Sequence, residues 1–121
     1  GYVDEIEKSW LFLNAHAFAS PSCVEGFGIP VLDAYILGIN VLASNIPSHK
    51  EIANIKIENS NLELLDLVNM NSWTSSLKAI EGYPEINSFL KERRLSNFSK
   101  SIDRLRHSFN EKLCELIITK K

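Results

Sequence analysis

Apolar positions come in two rhythms along the chain, and the change from one to the other falls near residue 70. Asp4 is a residue that caps helices, and Ile6, Trp10 and Leu13 follow it at steps of four and three, which predicts a helix over residues 4 to 15. Ala17-Phe18-Ala19-Ser20 is a short apolar run stopped by Pro21, suited to a buried parallel strand. Pro30 then sits where a first helical residue belongs, Val31 to Leu37 are apolar nearly all round, and Gly38 supplies a C-terminal cap, so a short buried helix is expected. Val41-Leu42-Ala43 is the next buried strand. Ser48 with Glu51 three residues later has capping-box spacing and opens another brief helix, with Ile55-Lys56-Ile57 and residues 64 to 67 as weaker strand candidates.

From Asn71 the helical period persists. Trp73, Leu77 and Ile80 mark one segment, which breaks at Gly82-Tyr83-Pro84. Ile86, Phe89, Leu90, Leu95, Phe98, Ile102, Leu105, Phe109, Leu113 and Leu116 continue at steps of three and four, the signature of a long amphipathic helix with at most one interruption near residues 94 to 96. Strand and helix in alternation, followed by a helical tail, argue for an α/β fold: a parallel sheet covered by helices over residues 1–84, with an amphipathic helical segment, 85–121, packed on it.

At 121 residues, 45% hydrophobic and 23% charged, the chain has the composition of an ordinary globular protein and the length of one domain. A formal net charge of −2 argues against nucleic-acid binding driven by positive charge. The charge is unevenly spread: four bases stand against ten acids through residue 84, and nine against five afterwards. Cys23 and Cys114 are far apart, no Cys-x-x-Cys occurs and the histidines are scattered, so neither a disulfide scaffold nor a metal site is expected. The longest uncharged runs contain Asn, His, Pro and Gly and fall short of the roughly 20 apolar residues a membrane span requires. Asn97-Phe98-Ser99 reads as the polar face of a helix, and His16, ahead of a strand, as a structural histidine. Gly1-Tyr2-Val3 reads as the end of a strand already under way, so the chain is expected to be a piece of a longer protein.

The chemistry is concentrated in residues 20 to 34, between the carboxyl end of one strand and the amino end of a helix, where open α/β sheets bind ligands. Gly26 and Gly28 let the backbone approach a ligand closely, and the free amides that open the helix suit an anion such as phosphate. Glu25 and Asp33 flank that position. Like charges repel, so two carboxylates beside a diphosphate are better matched to sugar or ribose hydroxyls. Blander readings compete: Gly-x-Gly alone can be a tight turn, Asp33 can complement the helix dipole, and both acids can be ordinary surface residues. The third glycine of the dinucleotide fingerprint is missing, which disfavours a nicotinamide site. His49, near the loop, is a lesser candidate for ligand contact.

The run Pro21-Ser22, Glu25-Gly26-Phe27-Gly28-Ile29-Pro30, Val31-Leu32, Asp33-Ala34, then Gly38-Ile39-Asn40-Val41-Leu42-Ala43-Ser44, resembles the donor-binding loop of retaining GT-B glycosyltransferases of family 4, the glycosyl transferases group 1. Gly1-Tyr2-Val3-Asp4 and Pro47-Ser48-His49-Lys50-Glu51-Ile52 look like flanking segments of the same family, so the resemblance runs over roughly residues 1 to 57. It implies a Rossmann-like sheet that is the later half of the C-terminal, donor-binding domain. It further implies transfer of a hexose from a UDP- or GDP-sugar, with retention, to a glycan or lipid-linked acceptor in polysaccharide or lipopolysaccharide assembly. By the same resemblance Glu25, the catalytic candidate, contacts hexose hydroxyls and Asp33 binds the ribose. The amides of Gly26, Phe27 and Gly28 meet sugar and diphosphate, and Val3 lies near the base. Asp33 stands where the family has Glu, and the family's basic pair for the diphosphate and its acceptor-binding N-terminal domain are not in this sequence, so the chain alone is expected to be inactive. No cofactor, metal or nucleic acid is implied, and the place of work is the cytoplasm, with the basic tail available for peripheral contact at the inner face of the cell membrane. The competing class is a non-catalytic α/β module that binds a nucleotide sugar or serves oligomerisation.

Overall fold

The computed structural model describes residues 1–119, with side chains described through Ser101 and, beyond it, at Asp103, His107 and Glu111. Its elements run α1 (Glu5–Asn14), β1 (Ala17–Ser20), α2 (Ile29–Leu37), β2 (Asn40–Ser44), α3 (Pro47–Ala53), β3 (Asn61–Leu65), α4 (Met70–Ile80) and α5 (Ser88–Thr119). The three strands form one open parallel sheet in the order β1-β2-β3, with Ala17 opposite Asn40 and Asn40 opposite Asn61. The fold is therefore α/β, as the alternation predicts. All three strands point the same way, so their carboxyl ends, and the loops leaving them, share one edge.

Local chemistry explains where the helices begin and end. Asp4 caps α1 by accepting from the Glu7 amide at 2.8 Å, while the Glu7 carboxylate takes the Asp4 amide at 2.9 Å, a reciprocal capping box. Gly28, at φ 82°, and Gly38, at φ 77°, bracket α2 in the left-handed region that favours glycine. At the far end the Ile39 amide reaches back to the Ala34 carbonyl and the Gly38 amide to that of Tyr35, each at 3.1 Å, a Schellman closure.

The core sits on the two faces of β2. Val41 and Ala43 point one way, into Val31, Ala34, Tyr35 and Leu37 of α2 and Ile52 of α3, and Leu42 points the other way, against Leu65 and Trp73. Phe12 and Phe18 meet edge to face at 5.6 Å between ring centres and pack against the first cluster. β2 is buried from Val41 to Ser44, whereas β1, paired on one side alone among the described residues, exposes Ala19.

Five expectations need correction. The Ser48 capping box does not form: Ile46 is the N-cap of α3, with no side-chain cap bond, and Pro47 starts the helix, which carries Ser48 inside the first turn. Residues 55 to 57 are not a strand, and the third strand lies earlier than residues 64 to 67 suggested, because Asn61 to Leu65 is the stretch in register with β2. His16, read as a structural histidine, is exposed. α5 runs unbroken through residues 94 to 96, within the expected limit of one interruption, but among the described residues its inward face is not the apolar stripe alone: Phe89 and Leu95 are exposed, Leu90 is half-buried and Arg94 is 3% exposed. The stripe's remaining side chains, Ile102, Leu105, Phe109, Leu113 and Leu116, lie outside those described.

Arg94 turns inward because α1 ends without a side-chain cap. Its guanidinium donates to the carbonyls of Phe12 at 3.1 Å, Leu13 at 2.7 Å and Ala15 at 2.8 Å, which gathers the open carbonyls at the C-terminus of α1 onto one cation. Burial, and then the neighbouring Arg93, lower its pKa from the ordinary value, but a guanidinium stays charged throughout the working range.

Candidate functional site

β1 ends at Ser20 and β2 ends at Ser44, adjacent strands with a hydroxyl residue at the same edge of the sheet. The loop that leaves β1 folds back over this edge. Ser44 Oγ donates to the Ser22 carbonyl at 2.5 Å and thereby ties the loop to β2. Ser22 Oγ in turn donates to Glu25 Oε1 at 2.5 Å, and Ser20 Oγ reaches the same oxygen at 3.3 Å.

The other carboxylate oxygen, Oε2, faces His49 Nε2 at 3.1 Å. His49 is fully buried, and its Nδ1 lies 2.8 Å from the Ser44 carbonyl oxygen. The sequence alone did not reveal this chain of contacts. Its components were visible as Pro21-Ser22 and Ala43-Ser44, small hydroxyl residues at strand ends, but nothing in the spacing joins position 25 to position 49.

The network holds the Glu25 carboxyl below its ordinary value. The Ser22 hydrogen bond lowers it most, desolvation opposes, and the hydrogen bond and charge of His49, with Ser20, lower it further. Glu25 thus presents an ionised, oriented carboxylate whose side chain is 25% exposed.

Gly28 closes the arrangement from α2. A Cβ on Gly28 would stand 2.8 Å from Glu25 Oε2 and 3.3 Å from the His49 ring, so a side chain there meets the pair as well as an unfavourable φ. Gly26 differs, with nothing among the described residues within 4 Å of a Cβ and therefore open space above it.

Glu25 and Gly26 line a depression of about 340 Å³ together with Cys23, Ser48 and Glu51. The Ser48 hydroxyl is buried in its wall with no hydrogen-bond partner among the described residues. Phe27, the next residue along the loop, is half-exposed.

The other residues singled out from the sequence lie elsewhere. Asp33, on α2, pairs with Lys8 of α1 at 3.5 Å and borders a separate groove with Phe12, Leu37 and Phe98. Val3 is exposed at the start of the chain, next to Ile6 and Trp10 of α1. The structure therefore gathers Glu25, Gly26 and Gly28 around one feature and leaves Asp33 and Val3 outside it. Among the described residues no three His, Cys, Asp or Glu side chains are grouped to hold a metal, and no helix is long and apolar enough to cross a membrane.

Comparison with known proteins falls on the same segment. Residues 1–60 match the family described as glycosyl transferases group 1. Over 52 residues, 43% of this chain, the sequence is 40% identical to O-antigen chain mannosyltransferase B of Escherichia coli. Those residues are 14% of that protein's length, so this chain corresponds to a small part of that relative. No solved structure matches. Both matches are to glycosyltransferases, and the matched family segment contains the whole network from Ser20 to His49.

Proposed function

We propose, from the match of residues 1–60 to glycosyl transferases group 1, that this chain carries part of the donor site of a retaining hexosyltransferase of GT-B type. The observation that carries this reading is the position of Glu25: an ionised carboxylate at the carboxyl edge of a parallel sheet, beside a glycine with open space, in the segment that matches the family. A carboxylate so placed accepts hydrogen bonds from vicinal sugar hydroxyls, and such charged hydrogen bonds are among the stronger ones available.

The amides of Gly26 and Phe27, with the opening turn of α2, suit the sugar and the diphosphate, and Gly28 serves by letting that turn pack close. Asp33 is assigned to the ribose and Val3 to the base. In the structure Asp33 is held by Lys8, so ribose binding requires Asp33 to exchange that partner for a hydroxyl. The donor is a UDP- or GDP-linked hexose, with mannose favoured by the name of the relative, and the acceptor a glycan or lipid-linked saccharide of polysaccharide assembly. No metal or further cofactor is required in this reading. The work is cytoplasmic, at the inner face of the membrane, where the basic surface of α5 with Arg93 and Lys100 exposed can meet anionic lipid.

Ligand-observed saturation-transfer NMR tests the reading, because it detects weak binding. UDP- and GDP-hexoses are expected to show transfer with this chain and to lose it in Glu25→Ala. Absence of transfer from every sugar nucleotide to the unaltered chain overturns it.

A further inference from the structure

The hydrogen bonds around His49 locate its protons. Ser44 Oγ has one hydrogen, and the 2.5 Å approach to the Ser22 carbonyl commits it there. The two Ser44 atoms facing His49 Nδ1 are the carbonyl oxygen at 2.8 Å and the hydroxyl oxygen at 3.3 Å, and both are then acceptors. Nδ1 must carry a hydrogen. On the opposite side of the ring, Nε2 faces a carboxylate oxygen at 3.1 Å, and an ionised carboxylate accepts only. A second hydrogen therefore lies between Nε2 and Oε2. The Ser22 and Ser20 hydroxyls at Oε1 favour the ionised carboxyl, so Nε2 is placed as the donor to Oε2 and each ring nitrogen faces an acceptor.

We propose that His49 is a positioning residue for Glu25: from behind the site it fixes Oε2 and cancels the carboxylate charge, so that a diphosphate-linked sugar can approach an acid that would otherwise repel it. This inference rests on the donor-site reading above. His49 has no exposed surface, so it acts through Glu25 and touches no ligand.

The geometry leaves Glu25 room to work. A carboxylate has about four lone-pair sites; serine hydroxyls address Oε1 and one imidazole nitrogen addresses Oε2, which keeps a site on Oε2 for a sugar hydroxyl. Other charges nearby do not substitute for His49. Lys50 and Glu51, its neighbours on α3, are exposed; Asp33 of α2 is paired to Lys8; and the Glu63 carboxylate of β3 accepts from Ser76 Oγ at 2.9 Å. Gly28 completes the device, since its missing side chain is what lets α2 lie against both members of the pair.

Nitrogen-detected NMR of the imidazoles in this chain at neutral pH tests the assignment without any ligand. The expected spectrum shows both His49 nitrogens protonated, and Glu25→Gln returns the ring to a single tautomer with its hydrogen on Nδ1. A singly protonated ring in the unaltered chain, or no response to Glu25→Gln, overturns the proposal even if His49 variants fail to fold.

Titration with UDP- and GDP-hexoses supplies the functional arm. His49→Phe is expected to bind roughly tenfold more weakly, the scale of one charged hydrogen bond. His49→Gln keeps a donor toward Oε2 and is expected to recover part of that loss. A merely structural histidine would lower the melting temperature in both variants and leave affinity unchanged, which overturns the positioning role alone. No binding by the unaltered chain overturns the donor-site reading, and this inference with it.

Discussion

Position 22 shows how one hydroxyl sets the character of an acid three residues away. Ser22 is the largest cause of the lowered Glu25 pKa. An unfolded glutamate titrates at about 4.3. A folded value below that means Glu25 adds stability fully present above the unfolded value and lost as the pH falls through the folded one. Ser22→Ala removes the Oε1 donor, so the Glu25 midpoint is expected to rise toward the ordinary value in a carbon-detected NMR titration. The variant's deficit in urea stability is expected to be largest near neutral pH and to close on the acid side of that titration; a deficit independent of pH would count against the account. The sequence displayed the glutamate, the serine and the glycines of this loop openly. It could not display the link to His49, which depends on two strands lying side by side, nor the failure of Ser48 as a cap, where Pro47 starts the helix two residues earlier than that cap would.

Two helices were readable because their patterns are local. Helix α1, with both acids of its capping box in one turn, and α2, bracketed by glycines, fall within a residue or two of the predicted limits. α5 was readable as a helix but not by face, because periodicity counts apolar residues and the decisive inward residue is a cation. The need that draws Arg94 in belongs to α1, 79 to 82 positions away, and no window along the sequence spans that distance. Replacing Arg94 by Met leaves the terminal carbonyls of α1 without their cation, and a loss of about 3 kcal/mol is expected in urea unfolding, the scale of charged hydrogen bonds lost from a buried site. Arg94→Lys is expected to recover only part of it, since an ammonium cannot reproduce the guanidinium fork. Equal stability of Arg94→Met and the parent chain would show that α1 needs no cap.

Across the whole molecule the apolar surface is not fully covered. Ile6 is 81% and Trp10 64% exposed on α1, with Val3 and Leu11 beside them, and β1 has a free edge among the described residues. Such surfaces drive association. The chain is expected to self-associate in a concentration-dependent way by analytical ultracentrifugation, and a double change, Ile6→Lys with Trp10→Lys, to shift it toward monomer. A monodisperse monomer at high concentration would contradict this. The Arg94 clasp also has a consequence in time. Ribosomes add about 5–20 residues each second, so some 80 residues of synthesis separate the end of α1 from its cap by roughly 4–16 s. During that interval the strands and the Glu25 loop are already made, while α1 still ends in open carbonyls. The helix that is made before the strands is thus finished after them.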